Sequence, residues 1–454
     1  MSTTKLKPGE ARFPGPSTKD IILADGWDVP DELIMQSYEY MGSEDIDFSY
    51  YTSQEIFDAE MEKVWPKVWQ WVCREEHIPE AGDYIVYDVG YHSILVVRQK
   101  DRAVKAYYNS CLHRGTQLKP ADSQGNSANL RCPYHGWTWN LDGTLEDLPC
   151  DWDFPHVNKA EANLPEVKIG QWGGFIFINM DDDAMSLEEY MEVIPQHFAN
   201  WPLDARFTSL HVQKILPANW KASQEAFVEA YHSYETHAEA LAFSANNNAQ
   251  YDVFGDRTHR FVHTFGNPDQ TWPEDQTQQD ILDKLPSIPD GEILPEGMTA
   301  RSYAAAYQRK AVGEMFGVDL SKKSDSEMLD SIEYHLFPNM FLFPGVALPM
   351  IYRFRPNGMD VDSAIFDLLF LRPLTPGEDP PEAPEAYKIG INESYETVPG
   401  IEQWLGHIYD QDTANLAAQQ KGFKAAKKKG QTLGNYQEIR VRRLNKTLLQ
   451  YLNA

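Results

Sequence analysis

The stretch NSCLHRGTQLKPADSQGNSANLRCPYHGWTWN, residues 109–140, decides how the first half of the chain folds. It contains two loops that each carry one cysteine and one histidine, Cys111 with His113 and Cys132 with His135. Zinc loops, which are the alternative, usually pair cysteine with cysteine or histidine with histidine. Two mixed loops suit a two-iron cluster better, because one iron can take both thiolates while the other takes both imidazoles.

The residues around these ligands fit the same interpretation. Gly115 and Gly136 follow the histidines and Pro133 follows the second cysteine, so both loops can turn tightly and direct backbone amides at the cluster sulfurs. Histidine ligands raise the potential of such a cluster into a range that suits the transfer of single electrons. The sequence therefore predicts a Rieske-type [2Fe–2S] site. Cys73 and Cys150 are predicted to be buried thiols that bind no metal.

The composition excludes several classes of function. The chain has 454 residues, more than one ordinary core accommodates, so we expect two or three domains. Its formal net charge of −28 argues against nucleic acid as a partner. It has four cysteines, no apolar signal segment at its start and no run of the ~20 apolar residues that span a bilayer. We expect a cytoplasmic protein with reduced thiols and no membrane partner.

The pattern along the chain changes near residue 180. Between about residues 70 and 180, short β-type runs alternate with turn signals, which indicates a small all-β domain. Later, residues 334–374 are typical of successive antiparallel strands. Helices are predicted over 220–242 and over about 400–428, with a stop before Gly430. The polar stretch 244–330 is predicted to be a long irregular insertion.

A second motif, EAYHSYETH at residues 229–237, has an unusual spacing for a metal site. His232 and His237 are five residues apart, which on an ideal helix turns them about 140° away from each other. The helix of a zinc protease instead spaces its histidines four apart. A di-iron carboxylate site would need a second Glu-x-x-His sequence, which the chain lacks. The two histidines can share one metal only if a distortion or a helix end lies between them.

The sequences CLHRG (111–115) and CPYHGWTWNLDGTL (132–145) resemble the Rieske domain of bacterial non-haem iron ring-hydroxylating oxygenases, α subunit. The resemblance extends from about residue 50 to the C-terminus. It implies an α+β protein in which an all-β Rieske [2Fe–2S] domain is joined to a catalytic domain of the helix-grip (START/Bet v1-like) fold with an antiparallel sheet.

The resemblance also implies a division of the chain into three parts. Residues 1–65 are expected to form an arm and a helix that pack on the catalytic domain. Residues 66–180 are expected to form the Rieske domain, and residues 181–454 the catalytic domain with its mononuclear non-haem iron.

The same resemblance implies the ligands of that iron. The family pattern acid-x-x-His-x4-His matches EAYHSYETH, which makes His232 and His237 the histidines of a site with two histidines and one carboxylate. The segment YDQDTANLAAQQ (409–420) is similar to the family segment that carries the ligating aspartate. Asp410 and Asp412 lie about 200° apart on a helix, so only one can face the iron. Asp412 is preferred, because the family's aspartate is followed three residues later by asparagine.

Glu229 stands where most relatives have aspartate. That acid resembles the bridge which connects a cluster histidine of one subunit with an iron histidine of the next in a head-to-tail trimer. Glutamate keeps the carboxylate but adds a methylene, and an ordinary surface glutamate is the alternative interpretation.

The function implied by the resemblance is that of a terminal oxygenase. It would use O₂, one [2Fe–2S] cluster, one Fe²⁺ and electrons from NAD(P)H, delivered by a ferredoxin or flavin reductase, to mono- or dihydroxylate an aromatic or other apolar small molecule. Oxidative N- or O-demethylation is the alternative within the family, and a homotrimer (α3), or α3β3 with a second subunit, is the expected assembly. Two other classes compete: a Rieske protein that only transfers electrons, and a zinc-structured ligand-binding protein.

Overall fold

Two large β-sheets, one in each half of the chain, organise the computed structural model, which describes residues 6–273, 275–346 and 348–454. The first sheet has seven strands, all antiparallel. In spatial order they are Gln70–Arg74, Phe175–Asn179, Glu166–Trp172, Val104–Tyr108, His92–Arg98, Asp83–Val89 and Gln124–Asn126. A separate three-stranded sheet shares a core cluster with it and is formed by Leu130–Arg131, Thr138–Trp139 and Leu145–Asp147.

A two-residue turn shows how the sequence fixes the register of the first sheet. Trp172 pairs with Phe175, so Gly173 and Gly174 alone form the connection. Their φ values are +59° and +77°. Hairpin turns of this length favour positive φ at both central residues, because that twist matches the flanking strands, and glycine adopts it without strain.

The second sheet has eight strands and is antiparallel except at one edge, where the last strand runs parallel to its neighbour. Its longest strand has 14 residues and pairs along most of its length with strands on both sides. In spatial order the strands are Gln250–Phe254, Thr258–His263, Ser331–Leu336, Met340–Leu342, Met350–Asn357, Asp360–Pro373, Arg206–Leu216 and Tyr387–Ile389.

Several helices, among them Trp220–Glu225 and Ile439–Asn453, pack against this second sheet. The longest described helix begins after Thr299, whose side chain caps its first turn, and ends at Gly317, which has a φ of +64°. The α-helices are Thr18–Ala24, Asp31–Ile34, Ser49–Thr52, Gln54–Lys63, Leu187–Tyr190, Ile194–His197, Trp220–Glu225, Ser233–Thr236, Gln278–Leu282, Ala300–Phe316, Asp325–Leu329, Gln403–Ala414, Leu416–Ala425 and Ile439–Asn453. In the described part of the chain, no helix is both long and apolar enough to cross a membrane.

The beginning of the chain packs against its end and against the second half. The short strand Ile46–Asp47 pairs with Gly430–Gln431. Lys63 Nζ donates a hydrogen bond to the carbonyl oxygen of Leu452, 2.8 Å away, and the buried Tyr51 hydroxyl donates to Glu225 Oε1 at 2.7 Å.

Buried polar contacts connect the two sheets. Arg353, on the second sheet, donates to the carbonyl oxygens of Trp71 and Val72 at 2.5 and 3.2 Å. The carboxylate of Glu76 accepts from the backbone N–H and the hydroxyl of Thr208. Since a buried polar group without a partner destabilises the fold, these contacts favour one relative position of the two sheets.

Three expectations from the sequence are wrong. The predicted helices over 220–242 and 400–428 are both broken, and Gly430 lies in a strand. Residues 244–330 are not an irregular insertion, because they contain two strands of the second sheet and a 17-residue helix. Their polarity misleads because polar side chains in these strands are buried in pairs; Arg260 Nη2 lies 2.7 Å from Asp252 Oδ2. Cys150 is exposed, whereas Cys73 is buried as expected.

Candidate metal sites and the adjoining cavity

Two histidines and one aspartate converge at one side of the second sheet. One ligand atom from each of His232, His237 and Asp412 lies within 4.8 Å of the others. Asp412 Oδ1 is 2.7 Å from His237 Nε2 and 3.3 Å from His232 Nε2. These are the three residues that the family resemblance assigns to iron. The fold brings them together although His232 and Asp412 are 180 residues apart in the chain.

The local backbone explains how histidines five residues apart can face one point. The helix Ser233–Thr236 is a single turn, with His232 just before it and His237 just after it. His237 has left the helical conformation, with φ −126° and ψ 45°. The helix end between the two rings removes the divergence that a continuous helix would impose.

The alternative aspartate points elsewhere. Asp410 Oδ1 accepts a hydrogen bond from the backbone N–H of Tyr395 at 3.0 Å, and its Oδ2 accepts one from the Ser394 hydroxyl. Both aspartates lie on the helix Gln403–Ala414, so the choice between them follows from the helical period.

Both histidines are oriented by a second hydrogen bond. Glu229 Oε1 lies 2.9 Å from His232 Nδ1, and Glu229 Oε2 accepts from the backbone N–H of His232 at 3.0 Å. Gln411 Oε1 lies 2.7 Å from His237 Nδ1. With each Nδ1–H donated outward, each Nε2 faces Asp412, the arrangement typical of imidazoles that bind metals. Sequence reasoning missed Gln411, although it is adjacent to Asp412 in the chain.

The site is electrostatically prepared for a cation. Burial disfavours the imidazolium of His232, but the carboxylates of Glu229 and Asp412 outweigh it and raise its pKa to about 10. Burial also opposes protonation of His237, yet mainly Asp412 raises the pKa of that histidine. For Asp412 burial favours the neutral acid, and the two histidines prevail and lower its pKa. Without metal, the protons on the histidines supply the positive charge of the site, and a bound metal ion would displace them.

An apolar cavity of about 180 Å³, called here the inner cavity, opens beside these three residues. Among the described lining residues, none is lysine or arginine. Phe227 and Phe343 line it, whereas the nearby Leu241 and Phe341 are buried and do not. The other aromatic side chains that line it are Phe243, Phe261, Phe265, Tyr352, Trp404 and Tyr409.

Sequence reasoning did not select Glu333, a buried carboxylate that also lines the inner cavity. It accepts hydrogen bonds from Tyr352 Oη at 2.9 Å and from Arg440 Nη2 at 2.8 Å. Burial outweighs these contacts and raises the pKa of Glu333 to about 7.

The two Cys-His loops lie in the first half of the chain, beside the three-stranded sheet. The centroids of the His113 and His135 rings are 4.6 Å apart, and Cys111 and Cys132 are both buried. In each loop a glycine N–H bonds back to the cysteine carbonyl, at 2.9 Å for Gly115 and 3.2 Å for the equivalent glycine.

The loop residues fit a metal cluster. The glycines after the histidines have φ values of +75° and +78°, so the tight turns predicted from the sequence are present. His113 Nδ1 is buried and has no hydrogen-bond partner among the described residues. A buried donor or acceptor atom without a partner is rare unless a ligand satisfies it. Two thiols and two imidazoles are the donor set of a Rieske cluster.

Comparison with known families gives two matches that together cover most of the chain. The Rieske [2Fe-2S] domain matches residues 68–158, and the ring hydroxylating alpha subunit (catalytic domain) matches residues 192–454. The second match alone covers more than half of the 454 residues.

Curated relatives share about a third of the aligned residues. The oxygenase subunit of carnitine monooxygenase from Escherichia coli (strain K12) is 33% identical over 196 residues, 41% of this chain and 50% of that protein. Benzene 1,2-dioxygenase subunit alpha from Pseudomonas putida is 32% identical over 198 residues, 42% of this chain and 44% of that protein. The aligned part of the chain thus spans about half the length of these relatives.

Solved structures show the same fold. A quaternary ammonium Rieske monooxygenase in complex with L-carnitine superimposes with a TM-score of 0.62 and 17% identity, over 90% of this chain and 95% of that one. Naphthalene 1,2-dioxygenase with indole bound gives a TM-score of 0.61 and 16% identity, over 92% and 95%. The two domain matches show that the chain belongs to the Rieske-type ring-hydroxylating oxygenase family, as an α subunit with a [2Fe–2S] domain and a mononuclear iron domain.

Proposed function

We propose that this chain is the terminal oxygenase component of a Rieske system. It would use O₂ and electrons from NAD(P)H, delivered by a ferredoxin or flavin reductase, to hydroxylate a small aromatic or other apolar molecule. The observation that carries the proposal is the convergence of His232, His237 and Asp412 on the wall of an aromatic cavity. A protein that only transfers electrons has no use for this arrangement.

Each predicted ligand set has a role in the proposal. Cys111, His113, Cys132 and His135 would hold the [2Fe–2S] cluster, and His232, His237 and Asp412 would hold Fe²⁺. When bound, the cluster would supply single electrons, and the iron would supply the capacity to activate dioxygen.

The surrounding residues position these ligands and the substrate. Glu229 and Gln411 hold the imidazoles with Nε2 directed at the metal position and increase their basicity. The aromatic walls exclude water and offer flat apolar surfaces to a ring or an alkyl group. Because the described walls carry no lysine or arginine, the part of the substrate that enters the inner cavity is uncharged or cationic.

Glu229 has a second role in this proposal. Its carboxylate is the bridge from the iron histidine His232 to a cluster histidine of a neighbouring chain in a head-to-tail homotrimer. The contact with His232 supports one half of that bridge. The division into residues 1–65, 66–180 and 181–454, and a cytoplasmic location, stay predictions.

Oxidative demethylation is the second candidate reaction. The oxygenase subunit of carnitine monooxygenase is among the relatives. In the inner cavity, a cationic N-alkylammonium group would contact aromatic faces and the carboxyl group of Glu333. A cation over an aromatic face gains roughly 0.5–2 kcal/mol.

Metal analysis and a substrate screen test the proposal. The loaded protein should contain about three irons per chain, two in the cluster and one at the histidines. With a ferredoxin, a reductase and NADH, product masses would show one or two oxygens gained, or a methyl group lost. A loaded protein with one iron or none, or zinc in both sites, would contradict the proposal.

A further inference from the structure

A second cavity, the outer cavity, lies beyond the inner one and has a volume of about 490 Å³. It is bounded by one face of the helix Ala300–Phe316, by the end of the strand Asp360–Pro373 and by the segment before the helix Gln403–Ala414. From the long helix, Tyr307, Ala311 and Met315 recur every four residues, as expected for one helical face.

The two cavities share part of their walls. Pro286, Trp404 and Leu405 line both the inner and the outer cavity, so these three residues form the partition between them. Trp404 Nε1 donates a hydrogen bond to Glu402 Oε2 at 2.6 Å. Trp404 also stands eight residues before Asp412 on the same helix, which places the partition about 12 Å along the helix axis from the metal-binding carboxylate.

The charges of the two cavities differ. Among its described lining residues the inner cavity has Glu229, Glu333 and Asp412 and no basic side chain. The outer cavity has mostly apolar walls together with Arg206, Arg372 and one acidic residue, Glu402, whose carboxylate accepts the hydrogen bond from Trp404. Such a basic pair is notable in a chain with a net charge of −28.

Of the two arginines, Arg372 is the one able to receive a ligand. Arg206 is buried and donates to the carbonyl oxygens of Pro344 and Gly345. Arg372 is exposed, its guanidinium carbon lies 6.0 Å from the ring centroid of Phe316, and no ion pair holds it among the described residues. A guanidinium at an apolar rim is suited to a carboxylate, which it can bind with two parallel hydrogen bonds.

We propose that the substrate is an elongated apolar molecule that spans both cavities and carries a carboxylate at its far end, bound by Arg372. The proposal rests on the proposed function and names its substrate class. The apolar end occupies the inner cavity beside the metal-binding residues, the middle passes the Trp404 partition, and the carboxylate stays at the solvent-facing rim. Reversed binding is disfavoured, because the described walls of the inner cavity offer no basic side chain to a carboxylate and the apolar end would lie at the solvent-facing rim.

A series of ω-phenylalkanoates of increasing chain length measures the distance between the two ends of the site. Binding is followed by calorimetry on the metal-loaded protein without an electron donor, so that no turnover occurs. Each added methylene should improve affinity about fourfold until the carboxylate reaches Arg372. Long acids should then bind about tenfold more tightly than the matched alcohols, whereas short acids should show no such advantage.

Two variants assign the effect to the outer cavity. Arg372→Gln should remove the advantage of the long acids over the alcohols. Ala311→Trp, which fills the outer cavity, should weaken long acids about tenfold more than short ones. Lys310→Gln is the matched control. It also removes a positive charge, on the helix that carries Ala311, but at a residue that does not line the outer cavity.

Affinity that is independent of chain length, or equal for acids and alcohols, would overturn the proposal. So would a length dependence that neither Arg372→Gln nor Ala311→Trp alters, since the outer cavity would then be only a passage for substrate. These results leave the iron content and the product screen untouched, so failure here is distinct from failure of the proposed oxygenase function.

Discussion

The two predicted metal sites are assembled in opposite ways. The four cluster ligands lie within 25 residues, on two loops that turn at glycines of positive φ. The iron ligands come from a helix end and from a second helix 175 residues later. The first site therefore depends on local turns, whereas the second depends on the correct packing of a whole sheet and its helices.

The two sites also differ in the charge that they carry without metal. Burial raises the pKa of the Cys111 thiol, so that loop tends to hold a neutral sulfur. At the other site, Asp412 stays ionised and His232 stays protonated, which forms an ion pair at the metal position. Backbone hydrogen bonds hold the two Cys-His loops. The three residues His232, His237 and Asp412, called here the triad, are held together by their opposite charges.

The largest expected effect tests whether the two sites are independent. Cys132→Ser should abolish the visible absorbance of the cluster and remove about two irons per chain, because a hydroxyl is a poor substitute for a thiolate ligand. The iron at the histidines should remain, as judged by metal analysis.

The exposed Cys150→Ser is the matched control and should leave colour and iron content unchanged. Loss of all three irons in Cys132→Ser would show that the cluster half supports the fold of the other half.

The converse change probes the triad. His237→Ala should weaken Fe²⁺ binding by at least about 100-fold, because one of the three protein ligands is lost, while the visible spectrum of the cluster persists, because all four cluster ligands are unchanged. Metal titration under anaerobic conditions measures the affinity.

His263→Ala removes another buried histidine of the inner cavity that is outside the triad. It should retain iron. Equal iron loss in both variants would contradict the assignment of His237.

A smaller effect is expected from the residues that orient the ligands. Gln411→Ala removes the acceptor for His237 Nδ1 and should lower Fe²⁺ affinity about 10- to 100-fold. Asp410→Asn, which changes the residue just before Gln411, is the control. It should leave the Fe²⁺ affinity within about twofold, because the carboxylate of Asp410 faces Ser394 and Tyr395. A larger loss in Asp410→Asn would reverse the choice of aspartate.

The affinity for Fe²⁺ at the triad should depend on pH, because this site carries charges without metal. The pKa of His232 is raised to about 10 without metal, so Fe²⁺ must displace a proton, and affinity should rise up to about tenfold per pH unit between pH 6 and 9. The same shift stabilises the metal-free fold most below the unfolded pKa of about 6.5, and that stability declines as pH rises toward 10.

Anaerobic titrations and thermal melts of the metal-free protein over this range measure both trends. Affinity that is flat with pH would contradict the ion pair at the triad.

The Cys-His loops and the strands around them could be predicted from the sequence, because they depend on residues near each other in the chain. His232, His237 and Asp412 came from the family resemblance, because their spacing alone fits no familiar metal site. The choice of Asp412 over Asp410 depended on the asparagine three residues later, since both aspartates lie on one helix. Gln411 and Glu333 were missed, since their roles depend on contacts with residues more than 70 positions away.

The fold was least predictable where polar side chains are buried. The strands Gln250–Phe254 and Thr258–His263 contain Asp252 and Arg260, which pair inside the protein and so remove the usual alternation of polar and apolar residues. The break between Gln403–Ala414 and Leu416–Ala425 was also missed, whereas the spacing of His232 and His237 did require a helix break between them; the bounds of so short a helix as Ser233–Thr236 depend on tertiary contacts and not on its own composition.

The pairing of Ile46–Asp47 with Gly430–Gln431, and of Lys63 with Leu452, has a consequence for biosynthesis. On the ribosome, residues 70–179 can close their sheet as soon as they emerge, since every strand partner lies within that interval. The opening segment must wait, with apolar surface uncovered, until the final helix is translated. A nascent chain arrested before Ile439 should therefore expose a chaperone-binding surface while its iron–sulfur loops are already able to take up their cofactor.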